Sequence, residues 1–254
     1  MELTVTSRTR VRRKADRAAF HWDTIAGILD EGFVCHLGFV ADGQAVVIPT
    51  AYGRIDRDLY VHGATANHAL RTATGDVDVC VTVTLVDALV LSRSAFHHSM
   101  NYRSVVVFGR AATVEDVEEK RRAMLAFVDH VVPGRATECR PPSDAELRAT
   151  LVLRLPVVEA SAKVRTGPPI EEPEDLALPY WGGELPLRLA ADIPVADGPG
   201  ILPQMLGGVD GRTRVDALAV GHEAEVAHEP LVEDAGDGVP VERGAIGLAP
   251  DARA

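Results

Sequence analysis

Alternation of apolar and polar residues predicts that much of this chain folds as β-strands. The alternation is clearest from Val77 to Val86, where valines and Leu85 are separated by aspartate, cysteine and threonine. A period of two is typical of a strand that buries one face. The same reasoning predicts further strands at 33–40, 44–52, 59–62, 105–114 and 151–158. Asp42-Gly43 tolerates positive φ angles, so a hairpin turn is expected between the first two of these.

Helical spacing of apolar residues predicts helices at 15–31, 115–132 and 141–148. Ser143 is the expected N-cap of the last one, with Glu146 at the capping-box position. A short helix is expected to begin near Thr65 or Asn67, which are both acceptable N-caps. Because strands dominate and the helices lie between them, an antiparallel barrel is favoured over alternating βαβ units.

Two residues interrupt the predicted strands. Pro49 cannot donate a backbone hydrogen bond, so the strand 44–52 is expected at a sheet edge or at a bulge. A kink is expected at Asp87, in the continuation of the strand that begins at Val77.

Composition excludes several classes of partner. The hydrophobic fraction of 46% is that of a globular protein, and the net charge of −11 argues against nucleic acid or an anionic membrane. The basic cluster between Arg8 and Arg17 is either a nucleic-acid arm or a solvated, frayed terminus. No window predicts a membrane span or a secretory signal. Three widely spaced cysteines indicate reduced thiols, so a cytoplasmic location is expected.

Residues 94–109 combine a polar, histidine-rich bend with an apolar strand that ends at Gly109. Hydrogen-bonding side chains at the beginning of a rigid strand suit a flat, anionic ligand. The alternative is an ordinary polar connection. Neither His97-His98 nor Cys35-His36 can chelate one metal ion from a strand, because adjacent side chains point to opposite faces. We therefore expect no metal site.

The segment Arg103-Ser104-Val-Val-Val-Phe-Gly109 resembles the signature of flavin-binding split-barrel proteins of the pyridoxamine 5′-phosphate oxidase superfamily. Its Tyr-Arg-Ser-Val and Phe-Gly elements are most similar to the nitroimidazole-resistance (Nim-type) branch. Segments 47–53 and 59–70 match the same pattern. The resemblance implies a mainly β fold with flanking helices, built as a six-stranded antiparallel split β-barrel.

The resemblance also implies a homodimer that holds FMN between its protomers. One protomer would contribute residues from β-segments 48–52 and 62–67, and its partner residues from 98–104. The implied cofactor-binding residues are Ile48, Pro49, Thr50, Tyr52, His62, Gly63, Ala64, Thr65, Asn67, His98, Asn101, Tyr102, Arg103 and Ser104. Many relatives have Lys or Arg in the turn where this chain has residues 66–68, so Arg71 or Arg103 is expected to supply the positive charge. The alternative is that Arg103 pairs with a carboxylate at the barrel rim.

The implied function is that of an FMN-dependent oxidoreductase. Hydride would pass from NADH or NADPH through the flavin to a small electrophilic or nitro-type substrate. His62 is the candidate catalytic residue, either as a flavin contact or as a proton donor, and the alternative is a capped core histidine. A deazaflavin or a haem could replace FMN, and a non-catalytic flavin- or haem-binding protein is the second functional hypothesis.

Four segments are expected along the chain. A basic arm covers residues 1–14 and the barrel domain residues 15–165. An acidic, proline-rich linker and a lid packed by its aromatic residues follow at 166–191. Residues 192–254 have no sustained apolar period, so disorder is predicted.

Overall fold

The structure, a computed structural model, describes residues 1–73, 77–191 and 195, and these belong to one compact unit. Apart from residue 195, the C-terminal segment 192–254 and its predicted disorder lie outside the described residues. The strands are β1 (Ala18–Ala19), β2 (Val34–Ala41), β3 (Gln44–Ile55), β4 (Asp58–Ala64), β5 (Asp78–Leu91), β6 (Ser99–Arg110), β7 (Ala112–Thr113), β8 (Thr150–Pro156), β9 (Glu159–Arg165) and β10 (Gly183–Pro186). The helices are α1 (Trp22–Glu31), α2 (His68–Thr72), α3 (Val117–Val131) and α4 (Asp144–Ala149).

The predicted architecture, an antiparallel β fold with a few helices, is confirmed. Every strand pairing in the described chain is antiparallel, in the order β1-β9-β6-β5-β2-β3-β4-β8-β7, and β10 pairs with β5. The predicted count of six barrel strands stays a prediction, since the sheet of the described residues has ten strands in all, some of them very short. Strand β9 was missed, and the short strands β1, β7 and β10 extend the sheet.

Strand β3 connects the two parts of the sheet. Its residues 44–51 pair with β2, whereas residues 52–55 pair with β4. Within the described chain, the first part of β3 therefore has a neighbour on one side only. The edge position predicted for Pro49 is confirmed, because Pro49 lies in register with His36 of β2 and has no strand on its other side.

Alternating side chains of the sheet form the core against α1. Val81 and Val107 lie opposite each other on β5 and β6 and are buried, as are Ile25 and Leu29 of α1. The predicted helix 15–31 begins later than expected, at residue 22. Its first residues instead form a 3-10 turn and the strand β1, because the backbone there pairs with β9 at the edge of the sheet.

Helix α3 crosses β3 at very short range. A Cβ atom placed on Gly53 would lie 2.9 Å from the backbone nitrogen of Phe127 and 3.0 Å from its Cα. Only glycine at this position allows the helix backbone to rest directly on the strand. Side chains of α3 thereby cover one face of β4.

Local sequence signals are reproduced closely. Ser143 caps α4 and forms the predicted capping box with Glu146. Asn67 caps α2, and its side chain accepts a hydrogen bond from the backbone N–H of Leu70 at 3.2 Å. The expected kink at Asp87 is present as a shift of register between β5 and β6.

Candidate functional site

The first predicted stretch, residues 48–52, lies on β3. Ile48 and Thr50 are half-buried and share a face with Leu37 and Cys35 of β2. Tyr52 is fully buried, and its hydroxyl donates a hydrogen bond to the backbone oxygen of Leu29 at 2.5 Å. The side chain of Tyr52 is thus engaged inside the core, so a cofactor at the surface would meet only its backbone.

His62, the predicted catalytic residue, lies on β4 beneath α3. Its ring is half-buried and meets the ring of Phe127 edge-on, with 4.4 Å between the centroids. Burial lowers the pKa of His62, because the charged imidazolium loses its hydration. The neutral imidazole is therefore favoured at pH 7. This environment matches the core-histidine alternative, and the catalytic role stays a prediction.

The turn after β4 leads into α2 and borders an open cleft of about 550 Å³. The cleft is lined by Thr65, Ala66, Arg71, Thr113 and Leu151. The second predicted stretch thus reaches a recess that contains a cation, and that cation is Arg71. Helix α2 has only five residues, so its dipole adds little to the charge of this recess.

Gly63 permits the tight return from β4 to α2. A Cβ atom on Gly63 would lie 2.5 Å from Cδ1 of Leu70, which is buried beneath the turn. The backbone N–H of Asn67 then donates to the carbonyl of Ala64 at 2.8 Å and closes the turn. The glycine at position 63 is therefore required by the close approach of Leu70, and the asparagine at position 67 serves as the N-cap of α2.

Arg103 of β6 lies between two carboxylates. Its Nη2 donates to Oε1 of Glu31 and to Oδ1 of Asp87, both at 2.7 Å, and Nε donates to Oδ2 of Asp87 at 3.1 Å. These contacts, with Glu31 first and Asp87 second, raise the pKa of Arg103. The guanidinium is therefore engaged at the end of α1 and the kink of β5. This geometry matches the alternative in which Arg103 pairs with carboxylates at the rim, and a phosphate contact stays a prediction.

The remaining predicted residues of β6 have different environments. Asn101 is buried, and its side chain donates to Glu184 of β10 and accepts from Arg165 of β9. Tyr102 and Ser104 are half-buried on the opposite face. Asn101 thus connects three strands inside the molecule.

His98 precedes β6 and is exposed. Its Nδ1 lies 3.1 Å from the backbone oxygen of Ser94 in the same turn. An Nδ1–H donating to a carbonyl fixes the imidazole tautomer and leaves Nε2 as the atom with a free lone pair.

The structure brings two of the three predicted stretches together. Residues 48–52 and 62–67 lie on the adjacent strands β3 and β4, whereas residues 98–104 lie on and before β6. Strands β5 and β2 separate β6 from β3, which corresponds to three strand spacings, or ~14 Å.

An apolar surface on the outer face of the β2–β3 hairpin was not predicted. Val34, Val40 and Val47 point outward and are 48%, 56% and 63% exposed. Exposed apolar side chains that share one face make this face a candidate contact surface. The unbroken apolar run from Ala45 to Ile48 was the available signal, since it supplies apolar side chains to both faces of the strand.

The segment after the barrel attaches to β5 along the same edge as β2, beyond the residues that pair with β2. Strand β10 pairs with it, with Gly183 opposite Leu91. The expectation that aromatic residues pack this segment is wrong, because Tyr180 is 61% exposed and Trp181 is 65% exposed. Polar contacts hold the segment instead: Glu171 accepts hydrogen bonds from Ser92 and Arg93.

Among the described residues, no group of three or more His, Cys, Asp or Glu side chains is arranged to hold a metal ion. None of the helices described in the structure is long and apolar enough to cross a membrane. All three cysteines are free thiols, and burial raises the pKa of Cys35 to about 12.

Comparison with known proteins places these features in a family context. A family model described as pyridoxamine 5′-phosphate oxidase matches residues 21–164. The structure of the flavocytochrome Anf3 from Azotobacter vinelandii is similar, with 37% identity, a TM-score of 0.70 and coverage of 78% of this chain and 92% of that one. An FAD- and haem-binding protein from Mycobacterium smegmatis is also similar, with 31% identity, a TM-score of 0.70 and coverage of 75% and 96%.

A third similar structure is a putative 5-nitroimidazole antibiotic resistance protein from Bacteroides thetaiotaomicron. It has 24% identity and a TM-score of 0.50, and the match covers 58% of this chain and 86% of that one. At this identity the likeness shows the fold alone. Comparison with the curated proteins gives no match.

Proposed function

The chain belongs to the pyridoxamine 5′-phosphate oxidase family, and from this premise we propose that it is a flavin-dependent redox protein. The observation that carries the proposal is its similarity to two flavin proteins, at 37% and 31% identity over at least three quarters of the chain. FMN is the flavin implied by the sequence signature, whereas the Mycobacterium smegmatis protein is described as binding FAD. The flavin is therefore proposed by class, with FMN as the first candidate.

The proposed activity is oxidoreduction of a small electrophilic or nitro-type substrate, with NADH or NADPH as the electron donor. Bound flavin supplies the hydride chemistry. The residues of this chain would orient the ring and hold the phosphate end, for which Thr65 and Arg71 border a cleft of suitable charge. Because burial favours its neutral form, His62 fits a hydrogen-bonding contact better than a proton donor.

The proposed flavin site requires a homodimer. Two of the expected stretches lie together on β3 and β4, while the third lies about three strand spacings away on β6. A second protomer placed against the exposed valines of the β2–β3 hairpin would add its own β6 to the site. That contact would also cover Val34, Val40 and Val47, which are exposed in the single chain.

The flavin proposal is tested by the visible spectrum of the purified full-length protein. We expect flavin absorption bands and, after denaturation, free FMN or FAD identified by chromatography and mass spectrometry. A colourless protein whose fluorescence does not respond to titration with either flavin would contradict the proposal. Steady-state oxidation of NADH or NADPH with a nitroaromatic acceptor then separates an enzyme from a binding protein.

The dimer is tested by light scattering of wild type and Val47→Lys at micromolar concentration. A lysine in the centre of the apolar surface should weaken association, because two like charges would meet across a symmetric interface. Val158→Lys is the matched control, since Val158 is 75% exposed in the turn between β8 and β9. A monomeric wild type, or equal association of both variants, would argue against this interface.

A haem is the second proposed cofactor. Two similar structures above 30% identity are a flavocytochrome and an FAD- and haem-binding protein, so both associate flavin with haem or cytochrome in their descriptions. A Soret band in the purified protein, or a shift and sharpening of the hemin Soret band that saturates on titration, is the expected result. If neither spectrum showed bound haem, flavin would remain the only proposed cofactor.

A further inference from the structure

The surface that best fits a haem lies at the end of β5 and β6. We use the name turn surface for residues 92–98, which connect these strands, together with residues 171–183, which dock against them. This surface is distinct from the cleft beside α2 that is proposed for the flavin phosphate. Its residues 92–98 lie inside the family match, which ends at residue 164, and its residues 171–183 lie outside.

The extent of the similarity connects this surface with the haem-associated proteins. A coverage of 78% of 254 residues is about 198 residues, and 75% is about 190. Both exceed the 164 residues up to the end of the family match, so both structures also match part of the chain beyond it. The nitroimidazole-resistance protein, with 58% coverage, needs no residue beyond that point. The segment after residue 164 is thus shared with the two flavin-and-haem or cytochrome proteins.

That segment is fixed against the turn before β6. Glu171 accepts hydrogen bonds from the Ser92 hydroxyl at 3.0 Å, from the backbone N–H of Arg93 at 3.1 Å and from Nη1 of Arg93 at 3.3 Å. Glu172 lies 3.6 Å from Nε2 of His97. The extension therefore shapes the surroundings of the histidine pair that the sequence contains at 97–98.

His98 is the member of this pair with the chemistry of a metal ligand. It is exposed, and its Nδ1 is engaged by the carbonyl of Ser94 at 3.1 Å. A ligating histidine usually makes this kind of contact through the nitrogen that does not bind the metal, because the contact fixes the tautomer and the ring orientation. His97 is instead directed to Glu172 and stacks edge-on with Phe96.

The surroundings of His98 also fit the body of a haem. Phe96 is 88% exposed and Trp181 is 65% exposed, so both rings are accessible to a flat apolar ligand. Met100, two residues after His98, forms an apolar row with Leu89 and Leu185 across three strands. These side chains offer a flat apolar bed at the end of the sheet.

A cation for the propionates of a haem is present in the same turn. Nε of Arg93 is buried and has no hydrogen-bond partner among the described residues. An unsatisfied buried donor is uncommon in a native structure and calls for an explanation. The Arg93 guanidinium lies five residues before His98, its side chain is 25% exposed, and its Nη1 already donates to Glu171 at 3.3 Å. The buried Nε would meet a propionate only after a change in the conformation of this side chain.

The other histidines of the described chain fit a haem less well. His62 is packed under α3, and Nε2 of His130 lies 2.6 Å from the carbonyl of Gly32. His36 lies on the face proposed for the dimer contact. Both ring nitrogens of His21 lie near other groups, with Nε2 at 3.3 Å from the N-terminal amine of Met1 and Nδ1 at 3.4 Å from Oδ2 of Asp23. His68 is exposed, but it begins α2 beside the cleft proposed for the flavin.

We propose that the turn surface binds a haem and that Nε2 of His98 is an axial ligand of its iron. This inference deepens the haem half of the proposed function and rests on it. In the complex, Arg93 would face a propionate, and the exposed rings of Phe96 and Trp181 would cover the edge of the macrocycle. His98 would then serve the haem rather than the flavin site to which the sequence signature assigned it.

The test compares hemin binding by full-length wild type, His98→Ala, His97→Ala and His68→Ala. We expect His98→Ala to lower hemin affinity by more than about tenfold, since even the loss of an outer partner of a ligating histidine costs about 10- to 100-fold. Its resonance Raman and electron paramagnetic resonance spectra should lack the histidine ligand. The other two variants should keep both the affinity and the spectra. His98→Ala and His68→Ala should melt like wild type because both residues are exposed, whereas His97→Ala removes a half-buried side chain beside Glu172.

Rescue by a free ligand adds a second readout. His98→Gly leaves space at the proposed axial position, so added imidazole should restore the wild-type Soret band of this variant and not change His68→Ala. Unchanged hemin binding in His98→Ala, or loss of the histidine signature in His68→Ala, would overturn the inference while the haem proposal stands. A wild type that binds no hemin would overturn the inference together with the haem half of the proposed function and leave the flavin half intact.

Discussion

The two histidine-bearing regions of this molecule are built in opposite ways. Around His62, α3 rests directly on β3 and β4, and the imidazole is held against Phe127. Around His98, the chain turns at the surface, the imidazole is exposed, and charged groups fix the backbone. We call the first region the α3 contact, defined by Gly53, His62 and Phe127, and compare it with the turn surface.

The comparison shows that a histidine beside a ligand-like motif does not by itself mark a site. At the α3 contact the packing uses the ring as an apolar surface, and burial disfavours its charge. At the turn surface the carbonyl of Ser94 contacts Nδ1 of His98, and Nε2 keeps the lone pair that could coordinate a metal ion. The environments of the two histidines differ because α3 covers His62 whereas no element covers His98 in the described chain. This difference can be tested in both regions.

The largest change in the free energy of unfolding is expected from Gly53→Ala, which disrupts the α3 contact. The new Cβ would lie 2.9 Å from the backbone nitrogen of Phe127, so helix and strand must separate. We expect the free energy of unfolding to fall by about 2–3 kcal/mol, as for an overpacked core. Urea unfolding measures this change.

The same substitution at Gly27 is the control for Gly53→Ala. Nothing outside its own helix lies within 4 Å of a Cβ at Gly27 in α1. Gly27→Ala should therefore stabilise the protein by about 0.5–1 kcal/mol, the usual gain for alanine in a helix interior. Equal losses from both substitutions would show that the short approach at Gly53 has no special weight.

A smaller effect is expected from Arg103→Ala, between the two regions. Removal of the guanidinium leaves Glu31 and Asp87 without their shared cation, and all three side chains are about one-third exposed. We expect a loss of about 1–2 kcal/mol, between the values for exposed and buried ion pairs. Flavin affinity of the folded variant should be unchanged, because these carboxylates already engage the guanidinium.

Arg110→Ala is the control for that prediction, since Arg110 and Asp78 form a mostly exposed pair at 3.4 Å. It should change the unfolding free energy very little. Isothermal titration of the flavin into each variant gives the second readout. A 10- to 100-fold weaker flavin affinity in Arg103→Ala, of the size of a lost charge-assisted bond, would restore the phosphate contact that the sequence suggested.

A further, smaller effect is expected from the titration of His62. Its pKa in the folded protein lies below the ordinary value of 6.5, so the unfolded chain takes up a proton first as the pH falls. The folded state is therefore fully favoured above pH 6.5 and loses stability below it. His62→Gln should reduce this slope of unfolding free energy against pH, measured between pH 5 and 7 by urea unfolding. An identical slope in both proteins would place the imidazole in a more hydrated environment than the α3 contact provides.

Local structure was predictable because its causes are local. The Asp42-Gly43 turn has the positive φ angles that its residue types tolerate, at 49° and 76°. Ser143 and Glu146 form their capping box within one turn of chain. The alternation in β5 needs only one buried face. Each of these features is set by neighbours within a few residues.

The rest could not be predicted from the sequence because it depends on pairing between distant segments. Strand β9 consists largely of small and charged residues, and it is a strand because β6 and β1 lie beside it. The partners of Arg103 are 72 and 16 residues away, at the end of a helix and at a kink. No spacing rule relates these positions. Likewise, the exposure of Trp181 follows from the way β10 joins β5, not from its own neighbours.

The smallest effect on stability is expected from Phe96→Ala. The contrast with Phe127→Ala compares one phenylalanine from each region. Phe127 contacts His62 and lies over Gly53 but is only half-buried, so its truncation should cost about 1.5–2 kcal/mol, less than the loss of a fully buried phenylalanine. Phe96 is 88% exposed, and its truncation should stay within about 0.5 kcal/mol in the absence of haem. With hemin added, wild type should gain melting temperature because a ligand that binds only the folded state stabilises it, and Phe96→Ala should gain less. Thermal melts of both variants with and without hemin measure these differences. If Phe96→Ala lost as much stability as Phe127→Ala without hemin, the turn surface would be a packed region like the α3 contact, and the contrast between the two would fail.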